Sequence, residues 1–131
     1  MYRLIAALLL TTLSNLASAQ VNLGLVCSSS SETIPRLLTV DGSTISYFNY
    51  GREIWVDLYY AKVGAEEIEA EGHQTRKIFI SRIDGSWRSY TDMNFSDINR
   101  EIIGVCVGRS KGEMNQIAAD YLAQLSAKRA F

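Results

Sequence analysis

Residues 66–91 read EEIEAEGHQTRKIFISRIDGSWRSYT, and this stretch decides the fold class. Apolar and charged side chains alternate with a period of two on both sides of residues 73–75, which is typical of half-buried β-strands. A three-residue loop at these positions places Ala70 opposite Ile78 across an antiparallel hairpin. Shifting the register by one residue would pair glutamates with isoleucines, so the alternation itself selects this alignment. The stretch therefore predicts a hairpin with one apolar face and one charged face.

Asp84-Gly85 predicts a second hairpin immediately after the first. Asp-Gly is typical of two-residue type I′ turns, because such turns need positive φ at both central residues. With this turn, Phe79 lies opposite Tyr90 on the next strand. The chain from 66 to 91 is therefore expected to form three antiparallel strands in a meander.

The period-two pattern and its turn residues extend outward over residues 21–107. The longest stretch is 53–63, in which the apolar positions change from one face to the other near Tyr60-Ala61. Either a β-bulge at this point or a strand with both faces covered would account for the change. Together these stretches predict a single all-β domain, a small antiparallel barrel or sandwich of about seven strands.

The pattern changes at Ser110, after which the apolar residues follow the spacing of an amphipathic helix. These residues are Met114, Ile117, Ala118, Tyr121, Leu122 and Leu125. Ser110 and Glu113 have the spacing of a capping box, in which the glutamate reaches back to the N-cap amide. Because the polar face carries acidic residues and no basic stripe, packing on the sheet is favoured over a membrane surface. We therefore expect a C-terminal helix over 111–127 that packs on the sheet.

The first nineteen residues, MYRLIAALLLTTLSNLASA, have the three regions of a secretory signal peptide. One basic residue precedes an apolar run, and residues 17–19 supply the small-x-small pattern that signal peptidase accepts. Polar residues 14–15 come too early for a membrane-spanning helix, which needs about twenty apolar residues. We expect cleavage near Ala19, a single mature domain over 20–131 with no transmembrane segment, and a periplasmic or secreted location.

The chain contains two cysteines, Cys27 and Cys106, with seventy-eight residues between them. An even number of cysteines in an exported chain is most simply a disulfide, and two cysteines allow one pairing only. Catalytic thiol pairs usually lie close together in the sequence, unlike these two. We therefore expect a structural bridge that closes almost the whole mature domain into one loop.

Composition and charge exclude several classes of protein. With 47% hydrophobic and 21% charged residues and one proline, the chain is neither disordered nor of low complexity. Its formal net charge of −1 provides no basic field for nucleic acid. The sequence lacks a nucleophile elbow, a zinc-protease motif and a phosphate-binding glycine loop, and its one histidine lies in a predicted turn. We expect a non-enzymatic protein with no catalytic residues and no cofactor.

Aromatic residues are dense between positions 47 and 60. Large rings at a surface commonly anchor protein interfaces, although alternation turns about half of the rings on a strand inward. The candidates for partner binding are Tyr47, Tyr50, Trp55 and Tyr59. The leading hypothesis is an exported binding module of the cell envelope, such as an inhibitor, an immunity protein or an accessory protein. Its partner is expected to be another envelope or extracellular protein.

Two alternative functions remain open. Glu67, Glu69 and Glu71 share one face of a predicted strand with His73 close by, and these groups could hold a divalent cation or a small ligand. Basic residues on the neighbouring strands are placed to neutralise most of these glutamates, which argues against a metal. The other alternative is a structural subunit of an envelope assembly, which would present an edge strand or the helix face to a partner.

Overall fold

The computed structural model describes residues 21–72, 76–91 and 101–128, and these residues form nine β-strands and one α-helix. The strands are β1 (Asn22–Ser29), β2 (Arg36–Asp41), β3 (Thr44–Asn49), β4 (Ile54–Asp57), β5 (Tyr60–Val63), β6 (Glu67–Glu71), β7 (Arg76–Ser81), β8 (Ser86–Thr91) and β9 (Glu101–Arg109). A 3₁₀ turn (Lys111–Glu113) leads into helix α1 (Met114–Lys128). The antiparallel β architecture with a C-terminal helix is confirmed. The expected number of about seven strands is wrong, since the described residues contain nine.

The stretch 53–63 explains part of this difference. It forms two strands, β4 and β5, which pair with different neighbours, β3 and β6 respectively. The break lies at Leu58-Tyr59, just before the predicted bulge. Inward positions are even-numbered up to Leu58 and odd-numbered from Ala61 onward, which accounts for the change of apolar phase in the sequence.

All nine strands belong to one antiparallel sheet, in the order β4-β3-β2-β1-β9-β8-β7-β6-β5. The two edge strands, β4 and β5, are joined only by residues 58 and 59. In a flat sheet the edges would lie about 38 Å apart, at about 4.8 Å per strand, whereas the three peptide steps between these strands reach about 11 Å at most. The sheet is therefore curled into a half-barrel with an inner and an outer face.

The hairpin of β6 and β7 has the predicted register, with Ala70 opposite Ile78. The register predicted for β7 and β8 is wrong, because Phe79 lies opposite Arg88 and not opposite Tyr90. The two rings still meet edge to face on the diagonal, with their centroids 5.9 Å apart. The error is a shift of two residues, which keeps every side chain on its expected face.

A longer loop than the predicted two-residue turn causes this shift. The Asp84 carboxylate accepts hydrogen bonds from the backbone amide and the hydroxyl of Ser86, at 2.9 and 2.7 Å. The Gly85 amide donates to the Ser81 carbonyl at 3.1 Å, which closes a loop over residues 82–85. Gly85 has positive φ (76°) whereas Asp84 does not, so the type I′ geometry is absent from this loop. The hydrogen bonds from Ser86 also lower the pKa of the Asp84 carboxyl.

The inner face of the half-barrel holds the main apolar core. Trp87 is its largest fully buried side chain, and its indole Nε1 donates to the Ser28 carbonyl at 3.0 Å. The indole packs directly on Gly104 of β9, where a β-carbon would collide with Trp87 and with the Ser28 carbonyl oxygen. Glycine at this position therefore allows the Trp87 ring to pack against the neighbouring strand.

A second, smaller core lies between α1 and the outer face of β1 to β4. Met114 and Ala118 pack there against Leu37 and Phe48, and all four residues are buried. Met114 lies so close to Gly24 of β1 that a β-carbon on Gly24 would collide with the methionine side chain. The outer face is thus covered on one half of the sheet, as the amphipathic pattern predicts.

The entry to α1 differs in detail from the predicted capping box. Ser110 makes no side-chain hydrogen bond to the backbone at this end. Instead of reaching the amide of Ser110, the Glu113 carboxylate accepts a hydrogen bond from the Ser110 hydroxyl at 2.7 Å. Lys111 forms an ion pair with Asp41 of β2, with 2.7 Å between nitrogen and oxygen, and this contact ties the start of the helical segment to the sheet.

The predicted disulfide between Cys27 and Cys106 is confirmed. The two residues lie directly opposite each other on β1 and β9, and both face the main core. The bridge spans 79 positions in the sequence. It therefore joins the half of the sheet that α1 covers to the half that it leaves bare.

The predicted signal peptide over residues 1–19 lies outside the described residues. Within the ranges that the structure describes, no helix combines the length and the apolar character needed to cross a membrane.

Candidate functional site

A cavity of about 480 Å³ lies at the end of the half-barrel where residues 30–35 connect β1 to β2. We call it the mouth cavity. Part of its lining is an apolar wall, formed by Leu38, Tyr47, Leu58 and Ile78. Polar groups also line it, namely Glu32, Arg36, Lys77 and Ser89. The cavity therefore combines apolar surface with a small set of charged and hydrogen-bonding side chains.

Strand register brings the apolar wall together from distant parts of the chain. Leu38 of β2 lies opposite Tyr47 of β3, and Ile78 of β7 lies opposite Ser89 of β8. Directly opposed residues of antiparallel strands point to the same face, here the inner one. The curl of the sheet then places these two strand pairs on facing sides of one space.

Arg36 is the central polar residue of the mouth cavity. It begins β2, and alternation puts it on the same inner face as Leu38. Its guanidinium binds the Glu32 carboxylate through two atoms, with Nε to Oε1 at 3.0 Å and Nη2 to Oε2 at 3.3 Å. Nη1 donates to the Ser89 hydroxyl at 3.3 Å, and the guanidinium carbon lies 5.0 Å from the centroid of the Trp87 ring. Contacts on three sides thus fix the plane of this cation.

The Arg36–Glu32 ion pair is partly open to solvent, since its side chains are 27% and 30% exposed. Ser89, by contrast, is 5% exposed, and its hydroxyl lies at the inner end of the arginine. Arg36 and Glu32 supply the charged groups at the cavity, because Lys77, although it contributes to the lining, lies opposite Glu71 and its side chain points to the outer face. A negatively charged group would therefore bind at this site by pairing with the Arg36 guanidinium.

Tyr50 forms a shared wall between the mouth cavity and the α1 core. Its hydroxyl donates to the Pro35 carbonyl at 2.7 Å, which fixes the end of the loop that carries Glu32. Burial raises the pKa of the Tyr50 phenol well above its usual value, and the nearby Tyr121 adds to this effect. The hydroxyl is consequently a neutral hydrogen-bond donor near pH 7.

The four aromatic residues predicted to bind a partner do not share one site, although Tyr50 and Trp55 both pack on Phe48. Tyr47 and Tyr50 both line the mouth cavity. Trp55 is half-buried on the outer face, where it packs on Phe48 with centroids 5.2 Å apart and donates from Nε1 to Asn115 of α1 at 2.8 Å. Tyr59 is 80% exposed at the break between β4 and β5. The structure therefore does not bring the four rings together into one surface.

The acidic cluster lies elsewhere, on the outer face of β6. Glu67, Glu69 and Glu71 alternate along this strand, and Glu71 lies opposite Lys77 of β7. His73, the fourth predicted member, lies outside the described residues. Among the residues that the structure describes, no three His, Cys, Asp or Glu side chains converge on a point where they could hold a metal ion.

The sequence prediction missed Arg36 and Ser89 as site residues. A usable signal was present for the arginine, because Leu38 and Val40 mark the inner positions of β2 and the same period of two reaches Arg36. A cation in phase with core residues needs partners. Glu32 is a local partner, four positions away, but nothing local identifies Ser89, which is 53 positions away along the chain.

No known protein-family model matches this chain, and no curated protein or solved structure is significantly similar to it. The functional conclusion therefore rests on the geometry of the described residues.

Proposed function

We propose that this protein is an exported, non-enzymatic binding protein of the cell envelope that holds a small amphipathic ligand in the mouth cavity. The observation that carries this proposal is the 480 Å³ cavity, whose lining is apolar on one side and polar around Arg36. Small-ligand sites typically have volumes of about 300–1,000 Å³, with predominantly apolar walls and a few convergent polar groups. Export is inferred from the signal-peptide pattern of residues 1–19 and agrees with the disulfide.

The architecture supports this use of the cavity. Closed antiparallel barrels of about eight strands have interiors that side chains fill or that hold one small ligand. In this half-barrel, Trp87, Ile80 and Cys106 are among the buried residues of the main core, whereas the end near residues 30–35 contains the mouth cavity. The ligand would thus occupy one end of a rigid, disulfide-linked sheet, with its apolar part on the inner wall.

A fluorescent probe tests the proposal directly. N-phenyl-1-naphthylamine is apolar and uncharged, and its emission rises when it enters an apolar site. We expect a saturable increase in emission with one probe per chain for the disulfide-bonded protein. Leu58→Trp, which adds bulk to the cavity wall, should weaken probe binding by at least about tenfold, because the larger side chain occupies part of the cavity.

Ile83→Trp is the matched control, since Ile83 is 76% exposed in the β7–β8 loop and receives the same new side chain. This variant should bind the probe like the wild type. Circular dichroism establishes that both variants are folded. A lack of saturable binding by the wild type, or equal binding by Leu58→Trp, would contradict the proposal.

A second candidate function is recognition of a partner protein through an exposed surface at the sheet break. Tyr59 is 80% exposed there, and the adjacent Tyr60 is 43% exposed. Exposed aromatic side chains of this kind are common anchors in protein interfaces. Capture of a specific envelope protein by the wild type, and its loss in Tyr59→Ser with cavity binding intact, would favour this function.

A further inference from the structure

We propose that the mouth cavity selects ligands with a carboxylate head, and that this carboxylate replaces Glu32 on the Arg36 guanidinium. The inference rests on the proposed function, because it concerns the ligand of the same cavity. The ligand class is an apolar chain that ends in a carboxylate. Within the protein, the Glu32 side chain occupies the position of the ligand head.

Arg36 already holds a carboxylate in a bidentate ion pair. Nε and Nη2 of Arg36 already bind two carboxylate oxygens of Glu32, at 3.0 and 3.3 Å. Two parallel N–H···O hydrogen bonds are the preferred geometry for recognition of a carboxylate by arginine. The site is therefore preformed for this head group, and any ligand carboxylate would find the guanidinium already oriented.

Glu32 is the more replaceable partner of this ion pair. Its side chain is 30% exposed and lies in the loop between β1 and β2. An ion pair that solvent reaches contributes little net free energy, because both charges can be solvated instead. Arg36 has further contacts with Ser89 and Trp87, so it stays in place when Glu32 leaves.

The charges at the cavity also favour a carboxylate ligand. Arg36 is the cation that faces the cavity, and Glu32 is the acidic group in the lining. A carboxylate ligand that releases Glu32 into water keeps Arg36 paired. An uncharged ligand gains no such contact, and it leaves Glu32 on Arg36. Selection between charged and uncharged ligands therefore depends on Arg36 rather than on the apolar wall.

Displacement of bound N-phenyl-1-naphthylamine by dodecanoate and by dodecanol tests the inference, with both ligands below their aggregation limits. The two ligands share their chain and differ in head group. We expect the wild type to bind dodecanoate several-fold more tightly than dodecanol, as a partly exposed ion pair implies. Arg36→Gln should abolish this difference, because the neutral amide cannot form the charge-assisted pair with a carboxylate.

Glu32→Gln is a second variant, and it should change the affinity for dodecanoate in the opposite direction. Removal of the competing carboxylate should raise the affinity for dodecanoate several-fold relative to that for dodecanol, because only the charged ligand competes with Glu32. If Arg36→Gln does not fold, this variant carries the test. Arg88→Gln is the matched control, since Arg88 also lies over aromatic rings, those of Phe79 and Tyr90, but on the outer face. It should behave like the wild type.

The outcomes separate the two proposals. Equal affinities of the wild type for dodecanoate and dodecanol would overturn carboxylate selection, although probe binding in the cavity would still stand. A decrease in dodecanoate affinity in Glu32→Gln would also overturn it. A failure of the neutral probe itself to bind would contradict the proposed function.

Discussion

The two halves of the outer face have similar strands but different surroundings. On β1 to β4, helix α1 buries Leu37 and Phe48 beneath Met114 and Ala118. On β9, next to the covered half, the outward side chains of Ile103, Val105 and Val107 are 64%, 56% and 48% exposed. Outward apolar residues are thus buried only where the helix covers them. The strand pattern alone does not say which half of the outer face the helix covers.

On its outer face, the bare half carries facing charged side chains and a cation–ring stack in place of a second layer, while its inner face still packs in the main core. Lys62 lies opposite Glu69, and Glu71 lies opposite Lys77. Arg88 stacks on the Phe79 ring, 5.2 Å from its centroid. Such pairs contribute roughly 0.2–1 kcal/mol each, much less than the burial of a large apolar side chain. The covered half should therefore contribute more to stability for each residue, and mutations can test this difference.

The largest effect is expected from the disulfide that joins the two halves. Replacement of both Cys27 and Cys106 by alanine should lower the free energy of unfolding by about 2–5 kcal/mol, because the unfolded chain gains the freedom of a very long loop. Urea denaturation of the variant and of the oxidised wild type measures the loss. The reduced wild type is the control and should match the double variant. A loss below about 1 kcal/mol would show that strand pairing alone holds β1 against β9.

The next largest effect is expected from a pair of substitutions, one in each half, that compares the two halves directly. Met114→Ala should lower the free energy of unfolding by about 2–5 kcal/mol, because it empties a fully buried site beneath α1. Ile103→Ala removes a comparable apolar side chain from the bare half and should cost less than about 1 kcal/mol. Urea denaturation measures both. Equal losses would mean that the outer face of β9 is covered in solution.

A smaller effect is expected at the edge of the covered half. Trp55→Phe keeps a ring on Phe48 but removes the indole hydrogen bond to Asn115, so the free energy of unfolding should fall by about 0.5–1.5 kcal/mol. A double-mutant cycle with Asn115→Ala isolates the contribution of this hydrogen bond. Additive losses in the cycle would indicate that the hydrogen bond does not contribute, and that α1 is held by its apolar contacts alone.

The alternation of apolar and charged residues predicted the register between strands only where the side chains of both strands constrain it. The β6–β7 hairpin is such a case, because a shift by one residue would bury glutamates. The β7–β8 register was not predictable from the Asp-Gly pair, since the loop geometry depends on the hydrogen bonds that Asp84 accepts from Ser86. A two-residue shift keeps all faces correct, so alternation does not distinguish the two registers.

The candidate site was much less predictable than the fold. Arg36 meets Trp87 and Ser89 only because the sheet curls, and this curl follows from the order of strands rather than from any local pattern. Of the predicted aromatic residues, Tyr47 and Tyr50 line the cavity and Trp55 packs against α1. Aromatic density indicates where rings are, but the partner of each ring depends on tertiary packing.

The smallest effect on stability is expected at Tyr59, where the bare and covered halves meet at the sheet break. Because its side chain is 80% exposed, Tyr59→Ser should change the free energy of unfolding by no more than about 0.5 kcal/mol. Urea denaturation checks this, and the binding of N-phenyl-1-naphthylamine should also be unchanged, since Tyr59 does not line the mouth cavity. A loss above about 1 kcal/mol would show that the ring stabilises the bend between β4 and β5. In that event the ring would have a structural role, and its exposure would no longer favour partner binding at this position.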